Sequence, residues 1–170
     1  MKQNILNEAK RIEEDSLNAV LEHYSVANRY DRIHWYIGVP AMVLAIIAGS
    51  MSLSPFENFH MIGGIVAIIA AGFASAMLFI HPNEQANFHR YAGNRFNALR
   101  NSVRFFYEVE AESLTSDVEL THRIGELPAM RDELNLVSPA TPYQTLRQAK
   151  KNYPDKEITD MRNSIAEPVT

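Results

Sequence analysis

Apolar and polar positions change their pattern twice along this chain. Over the first 30 residues the apolar positions recur at helical spacing. Ile5, Ala9, Ile12, Ser16, Val20, His23, Ala27 and Tyr30 share one side of a helix, widened by Leu6, Leu17 and Tyr24. Lys10, Arg11, Glu14, Glu22 and Arg29 take the opposite side. Neither Gly nor Pro interrupts this arm before Gly38 and Pro40, so it reads as one helix leading into the next segment. There the pattern stops: residues 33–56 carry no charge, nor do residues 58–83 beyond Glu57. Their apolar cores, 35–53 and 59–80, are each about 20 residues, enough at ~1.5 Å per residue to cross a hydrocarbon layer of ~30 Å. A helix in water keeps a polar face, and these keep none. The pattern predicts a two-transmembrane hairpin, with Pro40 bending the first span or tolerated near its end.

Amphipathic spacing returns after Pro82, which closes the second span. Phe88, Ala92, Phe96, Leu99, Val103 and Phe106 alternate spacings of four and three, a coiled-coil-like seam on a helix over about 84–110. Arg90, Arg100 and Arg104 fall away from that seam, whereas Arg95 falls inside it. A buried arginine needs a partner. Glu13, at the edge of the N-terminal stripe, is the candidate, with snorkelling past the seam as the alternative. Both arms leave the same face of the hairpin and are expected to pack their stripes together. Leu114, Val118, Thr121, Ile124 and Leu127 continue a helical period to Pro128, and Met130, Leu134 and Val137 extend it. Ser138-Pro139-Ala140-Thr141-Pro142 is a connector. Thr141 with Gln144 reads as a capping box, and Pro142 as the first residue of a short helix ending before Pro154. The tail from Asp155 is polar and loosely held.

The expected fold is all-α: a two-transmembrane helical hairpin whose long N- and C-terminal cytosolic amphipathic helices form a coiled-coil-like bundle, assembled as a homo-oligomer. Its parts are a cytosolic helix over 1–34, the hairpin over 35–81, a cytosolic helical region over 82–153 and a tail over 154–170.

Small residues mark the spans. Gly63, Ala67, Ala71 and Ser75 repeat every four residues in the second, and Ala41, Ala45 and Gly49 form a parallel row in the first. Lipid tails supply little hydrophobic drive between helices, so small side chains serve close backbone approach. Packing within the hairpin would use some of them; their spread over the second span points to contact between subunits as well.

The slightly negative mean hydropathy only averages an apolar hairpin with polar ends. A net charge of −4 gives no case for binding nucleic acid. Cysteine is absent, which excludes disulfides, thiolate catalysis and cysteine metal sites. No signal peptide is expected, because the first apolar run begins late and is too long. Arg29 and Arg32 precede the first span, and Arg90, Arg95, Arg100 and Arg104 follow the second, while residues 54–58 hold no Lys or Arg. The positive-inside bias therefore puts both termini in the cytoplasm of a multi-pass inner-membrane protein. Trp35 and Tyr36 suit an interfacial anchor, with His34 and His81 at the same level.

Chemistry is sparse. The chain has no phosphate-cradling glycine loop, no HExxH and no GxSxG. Its six histidines are scattered at 23, 34, 60, 81, 89 and 122. His23 and His89 read as hydrogen-bonded packing residues, and Glu13, Glu14 and Asp15 as neighbours pointing in different directions on a helix. Neither an enzyme nor a cofactor or metal is expected. No acid lies between Glu84 and Glu108, a stretch holding Arg90, Arg95, Arg100 and Arg104. Those four are candidate contacts for anionic lipid or a phosphate-bearing ligand.

Arg29-Tyr30-Asp31-Arg32-Ile33-His34-Trp35-Tyr36-Ile37-Gly38-Val39-Pro40, leading into Ala48-Gly49-Ser50, resembles the entry to the first span of the SLATT domain. These are two-transmembrane proteins associated with SMODS nucleotidyltransferases and SLOG sensors. Pro82-Asn83-Glu84, then His89, Ala92-Gly93-Asn94-Arg95-Phe96 and Ala98-Leu99-Arg100-Asn101, is similar to the family's segment after the second span, with Phe96 at a position usually aromatic. The Ser138-Pro139 connector is similar too, and the likeness covers about residues 5–150. It implies an effector of a bacterial antiviral conflict system that forms a pore or otherwise permeabilises the inner membrane. It implies a cytosolic sensor protein or nucleotide signal as the trigger, and no catalytic residue. A non-conducting membrane scaffold that recruits a cytosolic partner is the alternative.

Overall fold

The computed structural model describes residues 2–113, 116–142 and 145, apart from the side chains at 57 and 117. Helix α1 runs unbroken over Lys2–Ser52, so the amphipathic arm and the first apolar stretch are one element. Pro40 lies inside it. A short link leads to α2 (Glu57–Ile80). His81 alone separates α2 from α3 (Pro82–Phe105). A π-helical stretch, Phe106–Glu110, then passes into the short α4 (Ala111–Ser113). The last helix, α5, covers Asp117–Val137. The described residues are all helix and connecting turns, with no strand.

His81 is the joint between two helices. It sits in the left-handed region at φ 48°, ψ 50°, where its N–H donates to the Met77 carbonyl and ends α2. Its own carbonyl accepts from Gln85 N–H and opens α3. Pro82 follows at the first helical position, where a missing N–H costs nothing. Among the described residues His81 is the one non-glycine with positive φ.

The chain divides into two compact units: residues up to Val26 with those from His89 onward, and Ala27–Phe88. In the first unit, the N-terminal part of α1 runs antiparallel to α3: Glu13 meets Arg100 and Tyr107, while His23 meets His89. α5 lies beside both, antiparallel to α3, with Arg123 on Glu110 and Arg95 on Glu133. It joins α1 through Arg131 on Asp15, and the residues after it through Thr141 on Glu22. Ile5, Ala9, Ile12 and Val20 of α1 form one buried cluster with Phe96, Leu99, Val103 and Phe106, closed by Leu120, Leu127 and Leu134 of α5. The three leucines repeat every seven residues, and they carry α5 straight through Pro128. An internal proline costs about 3 kcal/mol. Three buried leucines, at roughly 1.5–3 kcal/mol each, outweigh that.

The second unit is a hairpin. Gly38 lies level with Met77, and Gly63 lies against Ala48, Met51 and Ser52, so the second half of α1 and α2 run antiparallel. A Cβ on Gly63 would stand 3.0 Å from Met51 Cβ and 3.3 Å from the Ala48 carbonyl oxygen, tighter than most Cβ contacts, so glycine favours this close crossing. Both helices are long and apolar enough to cross a membrane. Their bulky residues, among them Met42, Ile46, Ile65, Ile68, Leu78 and Phe79, point outward.

Candidate functional site

Two features carry chemistry, one in each unit. The first is a line of buried polar groups between α1 and α3. Arg100 keeps 2 % of its side-chain surface exposed and its Nε lies 3.5 Å from Glu13 Oε1. Glu13 Oε2 also accepts from the Tyr107 hydroxyl at 2.8 Å. Burial, and then this bond to Glu13, raises the pKa of Tyr107 and keeps it a donor. Glu13 thus answers a cation and a phenol at once, which is what a carboxylate taken out of water requires.

Further along the same interface, His23 Nδ1 and His89 Nδ1 approach to 3.0 Å. One ring must donate and the other accept, so the pair cannot keep this bond with both rings protonated. Burial, and then the charge of His89, lowers the pKa of His23 to about 4, and burial lowers that of His89. His23 also stacks on Phe96, with ring centroids 5.6 Å apart. Gly93 lies beside the pair, where a Cβ would make ordinary contact with Tyr24 at 3.4 Å and His23 Cβ at 3.5 Å. Beside it the Tyr24 hydroxyl donates to Asn94 Oδ1.

Several expectations for this unit need correction. Arg100, expected away from the seam, is the buried arginine and the partner of Glu13. It is too enclosed to serve as a lipid or ligand contact. Arg95, expected in the seam, is 38 % exposed; it pairs with Glu133 at 3.8 Å and lies over the Tyr91 ring. Arg104 pairs with Glu108 at 3.2 Å, so of the four arginines one is buried and two are held by exposed carboxylates. Phe88 is 53 % exposed and lies outside the buried set of Ala92, Phe96, Leu99, Val103 and Phe106. Glu13, Glu14 and Asp15 do point in different directions, as expected of neighbours on a helix: Glu13 is buried while Glu14 and Asp15 are exposed. Thr141 donates its hydroxyl to Glu22 at 2.8 Å, and Gln144, its expected capping partner, lies outside the described residues.

The buried face of α3 is wider than a two-helix seam, because α1 and α5 both pack on it: the Arg100 side lies against Glu13 of α1, and Arg95 reaches Glu133 of α5. A second series at four-three spacing, His89, Gly93, Phe96, Arg100 and Val103, is buried beside the first. That series was present in the sequence, masked by its polar members. The π-helical stretch then adds one residue per turn, so Ala111 N–H bonds to Phe106 carbonyl and Ala111 replaces Glu110 on the buried side.

The second feature is a groove along the hairpin. One stretch, of about 560 Å³, has the small residues of both helices as its floor: Ala41, Ala45, Ala48 and Gly49 face Ala67, Ala70, Ala71 and Ala74. Another, of about 600 Å³, continues it past Gly38 and Met77 to His34, His81, Asn83 and Glu84. The two share Ala41 and Ala74. Of the small residues marked in the sequence, Gly63 is spent on the crossing within the hairpin, while Ala45, Gly49, Ala67, Ala71 and Ser75 are exposed. Groups of three or more metal-ligating side chains are absent among the described residues. No family model, no curated protein and no solved structure gives a significant match to this chain.

Proposed function

We propose that this chain is a two-span inner-membrane protein with both termini in the cytoplasm. On this reading its copies associate, once triggered, through the small-residue faces of the spans, and the first unit is a cytosolic coiled-coil-like lever that controls them. The observation that carries the membrane reading is exposure. In the most apolar 18-residue window of each long helix, 6 % and 11 % of the residues are buried. The core helix of a soluble protein would be mostly buried. Apolar surface this extensive marks a membrane or a protein partner, and charge-free runs on every face favour lipid. Gly49, Ala67, Ala71 and Ser75, left exposed by the hairpin, suit helix–helix approach between copies.

The activity that fits is permeabilisation of the membrane on demand, as an effector in an antiviral conflict system. Support for the effector role comes from the resemblance of residues 5–150 to the SLATT domain. Support for a gated rather than constitutive pore comes from the spans, whose uncharged residues would line a dry constriction that closes by dewetting. Opening then requires helix movement, and the trigger, a sensor protein or nucleotide signal, would act on the cytosolic unit. Cells expressing the protein with its trigger and a membrane-potential dye test this: depolarisation is expected. An unchanged potential with the protein inserted would support the non-conducting scaffold instead. A reporter fused after Thr170 should be active only in its cytoplasmic form.

A further inference from the structure

The groove of the 27–88 unit changes character along its length, and the change matches one kind of molecule. From Gly38 to Ser52 its α1 wall is apolar and small-sided for about 21 Å of helix. One leaflet of hydrocarbon is about 15 Å deep. At the Gly38 end the lining turns polar, with His34, His81, Asn83 and Glu84. By the placement of the basic residues, that end lies at the cytoplasmic surface. A long apolar trough with a polar mouth at the surface has the polarity of a phospholipid.

Charge at the mouth selects the headgroup. The lining holds one carboxylate, two imidazoles and an amide, and no Lys or Arg. An anionic headgroup would meet Glu84 without a cation to offset it. A zwitterionic headgroup with a primary ammonium would place its ammonium on Glu84 and its phosphate on the Asn83 amide and an imidazole N–H. His34 Nδ1 is buried and makes no hydrogen bond, which leaves Nε2 as its nitrogen for such a bond. We propose that this groove binds one amine-bearing zwitterionic phospholipid of the phosphatidylethanolamine class, with an acyl chain on the small-residue floor and the headgroup among His34, Asn83 and Glu84.

The proposal rests on the membrane reading, and the experiment separates the two. The full chain is mixed with vesicles of equimolar phosphatidylethanolamine and phosphatidylglycerol and floated. Protein that stays at the bottom of the gradient overturns the membrane reading and this site with it. Protein that floats is moved as single copies into nanodiscs of the same mixture, released in mild detergent and weighed by native mass spectrometry. One retained lipid is expected, with phosphatidylethanolamine favoured by roughly two- to fivefold, the range that one partly exposed ion pair supports. Filling the groove with Gly38→Leu and Ala74→Leu should remove the retained lipid, and Glu84→Gln should keep a lipid but lose the preference. Floating protein that retains no lipid, retains both kinds equally, or keeps its lipid in the filled variant overturns the proposal. So does efficient cross-linking through Ala45→Cys between untriggered copies, since a second chain would then hold the groove.

Discussion

The Arg100 guanidinium meets the Glu13 carboxylate at 3.5 Å in a position where both side chains are almost wholly enclosed. Such a pair stabilises little over an apolar pair of equal size, yet either half left alone is costly. Arg100→Met, which strands Glu13, should destabilise the first unit by about 3–5 kcal/mol. Adding Glu13→Gln, which leaves the Tyr107 hydroxyl an acceptor, should recover most of that loss. Thermal denaturation of the detergent-solubilised protein reads both. Additive losses in the double variant would show that the two groups are not coupled.

The histidine pair predicts an acid-sensitive fold. In the unfolded chain His23 titrates near 6.5, whereas in the fold it is lowered to about 4, first by burial and then by His89. Above pH ~6.5 neither state binds the proton, and the full stability is present. As the pH falls from ~6.5 towards ~4 the unfolded state takes up the proton first, so stability is lost across that window. His89 is shifted in the same direction by burial. The melting temperature should therefore fall between pH ~6.5 and ~5, before most carboxylates titrate, and His23→Gln should flatten that part of the profile. Parallel profiles for the two proteins would remove the pair from the explanation.

Two adjacent glycines in α2 should respond oppositely to the same change. A Cβ at Gly63 presses on Met51 Cβ and the Ala48 carbonyl oxygen, whereas at Gly64 it meets open space. Gly63→Ala should cost about 1–3 kcal/mol by overpacking. Gly64→Ala should be neutral or stabilising by up to about 1 kcal/mol, because alanine is the better helix former. The comparison uses unfolding of the solubilised protein in a graded denaturing detergent. Equal effects at both positions would place the helix crossing elsewhere.

Association between triggered copies should depend on the exposed small-residue row. Ala67→Leu or Ala71→Leu keeps the span apolar but adds bulk where backbones approach, so the higher-order species and membrane leakage should be lost together. Cross-linking in membranes followed by size analysis reads the first, and the potential dye reads the second. An unchanged ladder would take that row out of the contact between copies.

Weakening the buried face of α3 tests the lever. Phe96→Ala or Leu99→Ala removes a fully enclosed side chain and should cost about 2–5 kcal/mol. Insertion should survive, because the hairpin is a separate unit, while leakage should change. Wild-type activation by both variants at equal expression would show that this interface neither assembles nor gates the protein.

What the sequence determined by itself is everything that depends on near neighbours. The stripe of Ile5, Ala9, Ile12, Ser16, Val20, His23 and Ala27 is buried as its spacing required, and the charge-free runs became two long apolar helices. Helix periodicity is written within about four residues, and an absence of charge needs no partner to be read. The buried arginine is a different kind of fact. Whether Arg95 or Arg100 leaves water depends on which side of α3 is covered: Arg100 lies against Glu13 of α1 and is enclosed, whereas Arg95 reaches Glu133 of α5 and stays partly exposed. The break at Phe106–Glu110 turns the helix after it by a fraction that no local pattern shows, and α5 continues through Pro128 because Leu127 and Leu134 are buried on its far side. Sequence spacing ranks the faces of a single helix. Which of them becomes interior, and so where an ion pair or a histidine pair must form, follows only from the helices that pack on it in the fold.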